Sequence, residues 1–294
     1  MKIAVLTVIY PKIRKYLNSY FLSLRKQSYK NFELVVVNDN FKKPFKIINK
    51  KNFLNLKIIK SQKNPELNRI SGLKECLINK FDLVICHDAD DTLHKDNIKN
   101  IVLFFQKNKK KNICFSNVNY RNKTFFKRGK VALKDIINEN ILGYGSMSIK
   151  TELINSFINS YKYRPKIYDW FFCLSYLCKK NYVNVIKKSK INYRNYNGNL
   201  LNQSLKLSKR DIISSAKLKL DTYYKMKKFC KYDKKNKFLF KEKIIEMKNL
   251  IKYLKDKKNF SNYVSQLRKV MKNNNKHLSW LNNANPLTNF NISK

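Results

Sequence analysis

An α/β fold built on a mainly parallel sheet is the architecture this sequence predicts, and three observations predict it. Short apolar runs rich in β-branched residues recur along the first half of the chain, helical periodicity fills the gaps between them, and polar residues collect where the runs end. Strands covered by helices on both faces read as uninterrupted apolar segments, whereas half-solvated strands alternate.

The first run, "KIAVLTVI" at 2–9, has strand length and stops ahead of Pro11. Proline lacks an N–H and has a preset φ, which suits a first helical turn. Ile13, Tyr16, Leu17, Tyr20, Phe21 and Leu24 then follow at helical spacing. "FELVVVND" at 32–39 is a second buried strand and "LKIIK" at 56–60 a third. A helical pattern after Pro65 runs through Ile70, Leu73 and Leu77, "FDLVICHD" at 81–88 is the fourth strand, and 97–107 is helical. "NICFSNV" at 112–118 adds a strand. Gly143 and Gly145 are two of only five glycines, a scarcity that marks positive φ or close backbone approach. Residues 164–180 read as a short loop and then a helix with Asp169 in its first turn, where a carboxylate complements the helix dipole.

From about residue 205 the character changes. "KLSKRDIISSAKLKLDTYYKMKKFC" and "FLFKEKIIEMKNLIKYLKDKK" read as amphipathic helices, with Phe240, Ile244, Met247, Ile251 and Leu254 in one apolar stripe. Residues 206–294 carry 24 Lys+Arg against 6 Asp+Glu. They form a helical appendage packed on the main domain, with an anionic membrane surface as the alternative partner. The expected division is a domain at 1–205, with halves at 1–110 and 111–205, followed by a basic α-helical region at 206–294.

Hydrophobic content of 43% over 294 residues is that of a globular chain. A formal charge of +45 invites a polynucleotide partner. The lysines, however, are spread through every segment, so the charge reflects overall composition and no specific nucleic acid is expected. What it favours is an anionic ligand or lipid surface. Six cysteines (Cys76, Cys86, Cys114, Cys173, Cys178, Cys230) form no CxxC pair and read as small buried thiols in a reducing compartment. No apolar run approaches the ~18 residues of a bilayer span, and "MKIAVLTVIYPK" lacks the pattern of a signal peptide. The expectation is a cytoplasmic protein, with peripheral docking on the inner face of the membrane through its cationic helices as the alternative.

Against that basic background, "FDLVICHDADDTLHKDN" at 81–97 sets Asp88, Asp90 and Asp91 side by side, from only 19 acidic residues. Adjacent carboxylates raise one another's pKa unless positive charge sits among them. A solvated turn is the plain reading and a divalent-cation site the sharper one. Position favours the site, because open α/β sheets bind ligands outside the carboxyl ends of their strands. Thr7 and Tyr10 lie near the end of the first strand, Asp39 at the end of the second, and Asp88 and Asp90 at the end of the fourth. His87 points opposite to Asp88 and is expected under the sheet. With His94 and His277 the only others, histidine metal chemistry is not expected.

"KIAVLTVIY…LNSYFLSLRKQSYKNFELVVVND" resembles the opening of the family 2 inverting glycosyltransferases of the GT-A fold, in which a "Q-[ST]-Y-x-N-[FY]-E" segment leads into an apolar strand ending in Asp. Gln27, Ser28, Tyr29, Asn31, Phe32 and Glu33 stand in that order here. "NPELNRISGLKEC" resembles the family's "aRN-x-G" segment through Arg69 and Gly72, and "HDADD" falls where its DxD sits. "YDWFF" resembles the "[ED]-D-W" region and "INYRNYNGN" the "YRxHxxN" segment. The resemblance spans roughly residues 1–200. Pro11, Asn38, Ile70 and Tyr196 depart from it, and the QxxRW motif of processive members is absent, which implies transfer of single residues.

The resemblance implies a GT-A (Rossmann-like) mixed, mainly parallel sheet flanked by helices. It also implies transfer of a sugar from a nucleotide-diphosphate donor, UDP-linked first, to a hydroxyl of a glycan or lipid-linked acceptor in surface polysaccharide or lipopolysaccharide biosynthesis. Asp169 takes the place of the catalytic base, and Asp39 that of the base- and ribose-binding carboxylate. Thr7, Tyr10, Arg69, Asp88 and Arg194 complete the nucleotide site. Asp90, with Asp88 bridging ribose and metal and Asp91 as a weaker candidate, would hold Mn2+ or Mg2+, since all-oxygen ligation suits a hard cation. Three alternatives remain. "VICHDADDT" also satisfies the motif of haloacid dehalogenase-like phosphatases, but no late acidic pair of theirs follows Asp91. A basic nucleic-acid-binding protein and an inactive transferase-like scaffold are the others.

Overall fold

The computed structural model describes residues 1–41, 55–62, 64–120, 123–124, 126, 128–194, 196, 207–274 and 283–286. His277 and the "NGN" of "INYRNYNGN" lie outside them. The chain forms two compact units: Met1–Val131 with Leu142–Ser160 and Tyr182–Arg194, and Ala132–Ile141 with Tyr161–Asn181 and Asn195–Lys294. Two segments from inside the first 205 residues are thus grouped with the C-terminal region.

The first unit is organised by one mixed sheet of β1 (Ile3–Ile9), β2 (Glu33–Asn38), β3 (Leu56–Lys60), β4 (Leu83–Asp88), β5 (Thr92–Leu93), β6 (Ile113–Tyr120), β7 (Lys123–Thr124), β8 (Lys130–Val131), β9 (Met147–Lys150) and β10 (Val183–Asn192). Their order is β3-β2-β1-β4-β9-β6-β10-β5, with β7 on β6 and β8 on β10. β3, β2, β1 and β4 run parallel, as do β6 and β10, while β9 lies antiparallel between β4 and β6. The apolar runs at 2–9, 32–39 and 81–88 form β1, β2 and β4 because they are buried on both faces. Val35, Val36 and Val37 are all fully buried, each contributing about 1.5–3 kcal/mol of transfer free energy.

Helices α1 (Arg14–Arg25), α2 (Pro65–Ile78), α3 (Asn97–Lys107) and α5 (Thr151–Ser160) belong to the same unit, while the short α4 (Leu133–Ile136) belongs to the second. Pro11 opens a 3-10 turn, Pro11–Ile13, and the α-helix begins only at Arg14. α2 starts with an Asn64 cap, whose side chain accepts from Leu67 N, and Pro65. At Gly72 this helix lies so close to the sheet that a Cβ would fall 2.5 Å from Leu6 Cδ1 and 3.0 Å from Val37 Cγ2. That contact sets where the first turns of α2, and hence Arg69, stand relative to β1.

The second unit is helical: α6 (Tyr168–Leu177), α7 (Lys209–Phe229), α8 (Lys234–Tyr253) and α9 (Lys257–Asn274). Trp170 of α6 donates through Nε1 to Ile136 O at 2.8 Å, and Tyr223 of α7 donates to Ile137 O at 2.6 Å, their rings 5.7 Å apart. These two buried aromatics explain why 132–141 and 161–181 pack with the C-terminal helices. The apolar stripe of α8 is Phe240, Ile244, Met247, Leu250 and Leu254, with Ile251 only half-buried at its margin. Buried Lys219 donates to Ala284 O at 2.6 Å, and Tyr263 Oη is within 3.1 Å of Asn283 O and 3.0 Å of Asn285 O. All six cysteines are free. Among the described residues no helix is long and apolar enough to cross a membrane.

Candidate functional site

Parallel pairing brings four strand ends to one edge. Ile9 stands beside Asn38, Asn38 beside Lys60, and Val8 beside Asp88. Asp39 follows β2 directly, its N–H bonded to Ile9 O at 2.8 Å. Its Oδ1 accepts from Ser61 Oγ at 2.6 Å, just beyond β3, and from Asn40 Nδ2 at 3.1 Å. Tyr10 is half-buried where β1 gives way to the 3-10 turn, its carbonyl accepting from Ile13 N.

Asp88 closes β4 with its side chain 42% exposed and an oxygen 3.6 Å from Nη2 of Arg69. The Arg69 guanidinium lies 4.6 Å over the ring of buried Tyr144, which fixes its plane. On another side, Gly145 in the turn Tyr144–Ser146 presents bare backbone to Asp88: a Cβ there would come 2.7 Å from Asp88 Cγ. Gly145 is therefore a close-approach glycine. Gly143 is neither that nor a positive-φ position, since its φ is −77° and nothing lies within 4 Å of a Cβ.

The three crowded carboxylates do not share one environment. Asp90 is half-buried at the loop, whereas Asp91 is 5% exposed, its Oδ1 accepting from Arg194 N at 2.8 Å. Burial, then repulsion from Asp90, hold the Asp91 carboxyl well above the usual carboxylate range, with Asp88 adding and Arg194 opposing. With Asp91 buried, Asp88 and Asp90 are the more exposed pair. The weaker metal candidate is thus an internal tether between the loop and the end of β10.

Two further candidates have structural partners of their own. Thr7 is fully buried, paired in register with His87 and near Tyr20, so it lies beneath the site and not in it. Arg194 donates from Nη2 to Ser19 Oγ at 2.9 Å and stacks 4.4 Å over Tyr16, committing it in part to α1. His87 lies inside as expected, both ring nitrogens without a hydrogen-bond partner, and burial brings it down to about 3, uncharged.

The motif residue Gln27 has a structural duty that sequence matching does not reveal. Buried at the end of α1, it donates to Ser23 O at 3.0 Å and His94 O at 2.9 Å and accepts from Ile98 N at 3.1 Å. Ser28 adds a bond from its Oγ to Asp96 Oδ1 at 2.7 Å. Together they latch the segment that leads from Asp90 into α3. The signal for Gly145 and Gln27 was present only as scarcity and motif membership.

Asp169 lies in the second unit, in the first turn of α6. Its Oδ1 accepts from Trp170 N at 2.8 Å and Asn140 Nδ2 at 3.3 Å, two donors that fix the carboxylate's orientation. Among the described residues no group of three or more His, Cys, Asp and Glu side chains could hold a metal ion.

A comparison with curated proteins found no match. Among solved structures, the chain is similar to S. aureus TarS at 21% identity and TM-score 0.55, covering 81% of this chain and 45% of that one. It thus spans less than half the length of that structure. It is also similar to S. aureus TarS 1-349 in complex with UDP (19% identity, TM-score 0.56) and with UDP-GlcNAc (17%, TM-score 0.54), each over 94% of this chain and 92% of that one. At such identities the likeness shows the fold, a helix-flanked mixed sheet of GT-A type. The profile described as Glycosyl transferase family 2 matches residues 4–174, more than half of the chain. On that match, and with the sheet edge it covers, the chain belongs to glycosyl transferase family 2.

Proposed function

We propose that the protein is a metal-dependent inverting glycosyltransferase. It moves one sugar from a nucleotide-diphosphate donor to a hydroxyl of a glycan or lipid-linked acceptor, in surface polysaccharide or lipopolysaccharide biosynthesis. The observation that carries this reading is the convergence of Asp39, Arg69, Asp88 and Asp90 on one edge of parallel strands in a chain of this family. The likeness to TarS with UDP and with UDP-GlcNAc makes uridine the first base to try.

In this reading Asp39, steadied by Ser61, accepts from the base or ribose, and Tyr10 lines the same edge. Arg69 and Arg194 offer guanidinium N–H groups to diphosphate oxygens. Asp90 and Asp88 would hold the metal ion. With Asp91 turned inward, the donor set is two carboxylates, which suits Mg2+ or Mn2+, ions that fill their sphere with waters and substrate phosphates. Such an ion, when bound, supplies charge for the leaving diphosphate. Asp169 accepts the acceptor's proton as the hydroxyl oxygen bonds to the anomeric carbon and the opposite C–O bond breaks, its electron pair leaving with the diphosphate.

The test is calorimetric titration of the full chain with UDP, with and without Mn2+, repeated on Asp90→Ala. Metal-dependent binding that the substitution removes supports the reading. No binding of UDP, GDP, CMP or dTDP with either metal rejects it. Once turnover is found, the anomeric configuration of the product decides inversion.

A further inference from the structure

The outward face of α8 sets two large apolar side chains among exposed lysines and Glu242, where a solvated helix face should be polar throughout. Phe238 is 60% exposed and Ile245 49%, and they stand two turns apart on the side opposite the buried Phe240, Ile244 and Met247. Exposed lysines bracket them at three- and four-residue spacing: Lys234 and Lys241 around Phe238, Lys241 and Lys248 around Ile245. Of the eight exposed large hydrophobic residues among those described, four fall between 224 and 245, the others being Tyr224 of α7 and Tyr232 ahead of α8. Lys248 Nζ lies 5.8 Å from the Tyr224 ring, so the strip continues from α8 onto α7. Single exposed apolar residues need no explanation, but a concentrated strip marks an interaction surface.

We propose that this strip docks the protein on an anionic phospholipid surface, with Phe238 and Ile245 entering the headgroup–acyl boundary and the lysines reaching the lipid charges. The proposal stands independently of the transfer chemistry. Apolar side chains flanked by lysine are the composition of a helix lying in the membrane interface, because lysine stems lie along apolar matter while the ammonium reaches outward. Charge decides against a second copy of the chain as the occupant: with 64 Lys+Arg against 19 Asp+Glu, a partner surface of the same protein is itself basic. A polynucleotide would satisfy the lysines but offer Ile245 no apolar phase.

The experiment is flotation of the full chain with vesicles of phosphatidylcholine alone or with one quarter phosphatidylglycerol, at low and high salt. The wild type is expected to float only with the anionic vesicles, with loss in salt. Phe238→Ser/Ile245→Ser should weaken partition about tenfold or more, and Lys241→Gln/Lys248→Gln by about fivefold per lysine. Leu103→Ser, an exposed apolar loss on α3, should leave partition unchanged. Phe238→Trp should show a blue-shifted emission on anionic vesicles, which simple charge attraction would not produce. Failure of the wild type to float, or floating of the double serine variant like wild type, overturns the proposal. So does a serine-sensitive dimer in solution, or RNA binding that falls with the serine pair while vesicle binding does not.

Discussion

Gly145→Ala isolates the contact that positions Asp88. The new methyl would lie 2.7 Å from Asp88 Cγ and 3.2 Å from its Cβ, and closer still to Oδ2. Carbon atoms prefer about 3.5–4.0 Å, so the carboxyl must move by roughly 1 Å, or the turn before β9 must open. The φ at Gly145 lies outside the left-handed region, so alanine adds no backbone strain and the contact is the whole perturbation. Overpacking of this kind costs about 1–3 kcal/mol. Misplacing a ligand-binding group by about 1 Å costs about 100-fold in function. Thermal unfolding and UDP titration with Mn2+ should therefore both respond. A double-mutant cycle separates the two effects: Asp88→Ala removes Cγ and the carboxylate oxygens and leaves only the 3.2 Å contact to Cβ, so Gly145→Ala should cost less stability in that background. UDP affinity remains low in the double variant, because the carboxylate itself is gone. If Gly145→Ala keeps wild-type stability, UDP affinity and turnover, the reasoning from this contact is refuted.

Other perturbations reach different parts of the molecule. Asp169→Asn should lower turnover by about 10²–10⁴ while UDP affinity is unchanged; a change in affinity with turnover preserved would remove Asp169 from the base role. Gln27→Leu takes the partner from Ser23 O and Ile98 N and one of two donors from His94 O, which keeps Asn97 N; it should cost about 2–4 kcal/mol, which a denaturant titration would read, and an unchanged midpoint would contradict the latch. Burial brings Lys219 from 10.5 down to about 7. Between those values the unfolded chain binds the extra proton, so stability rises with pH, by about 2 kcal/mol from pH 7 to 9. Below about 7 both states hold the proton and the dependence ends. Lys219→Met should lose that slope, and equal slopes in the two proteins would refute the assignment.

The parts of the fold legible in the sequence are those set by local burial. β1, β2 and β4 are visible as apolar runs because both faces are covered, and Asp39 and Asp88 follow once strand ends are taken as ligand edges. Contacts between distant segments are not legible in that way. Nothing near residue 145 announces that it will stand against Asp88, since that depends on β9 pairing antiparallel to β4. Asp91 looks equivalent to Asp90 until strand β10 delivers the Arg194 N–H to it. Thr7 looks like an edge residue because a run of apolar letters does not say that β1 continues two residues beyond it, to Ile9, nor that Tyr20 of α1 packs beside it. The regrouping of 132–141 and 161–181 rests on Trp170 and Tyr223, two aromatics more than fifty residues apart whose polar atoms reach the same short stretch.

The position of β9 has a consequence for how the protein is made. β4 ends at Asp88, but its second neighbour begins only at Met147, about 60 residues later. At about 5–20 residues per second, a ribosome leaves that edge of β4 without its partner for several seconds. Over that interval the nascent chain holds a complete parallel β3-β2-β1-β4 half with an open flank of Leu-Val-Ile-Cys-His, the kind of strand that recruits foreign strands. Chains truncated soon after residue 110 should therefore aggregate even though their half of the sheet is locally well specified. Extension past residue 150 supplies the strand that covers the flank, so translation speed across 89–146 becomes a determinant of yield.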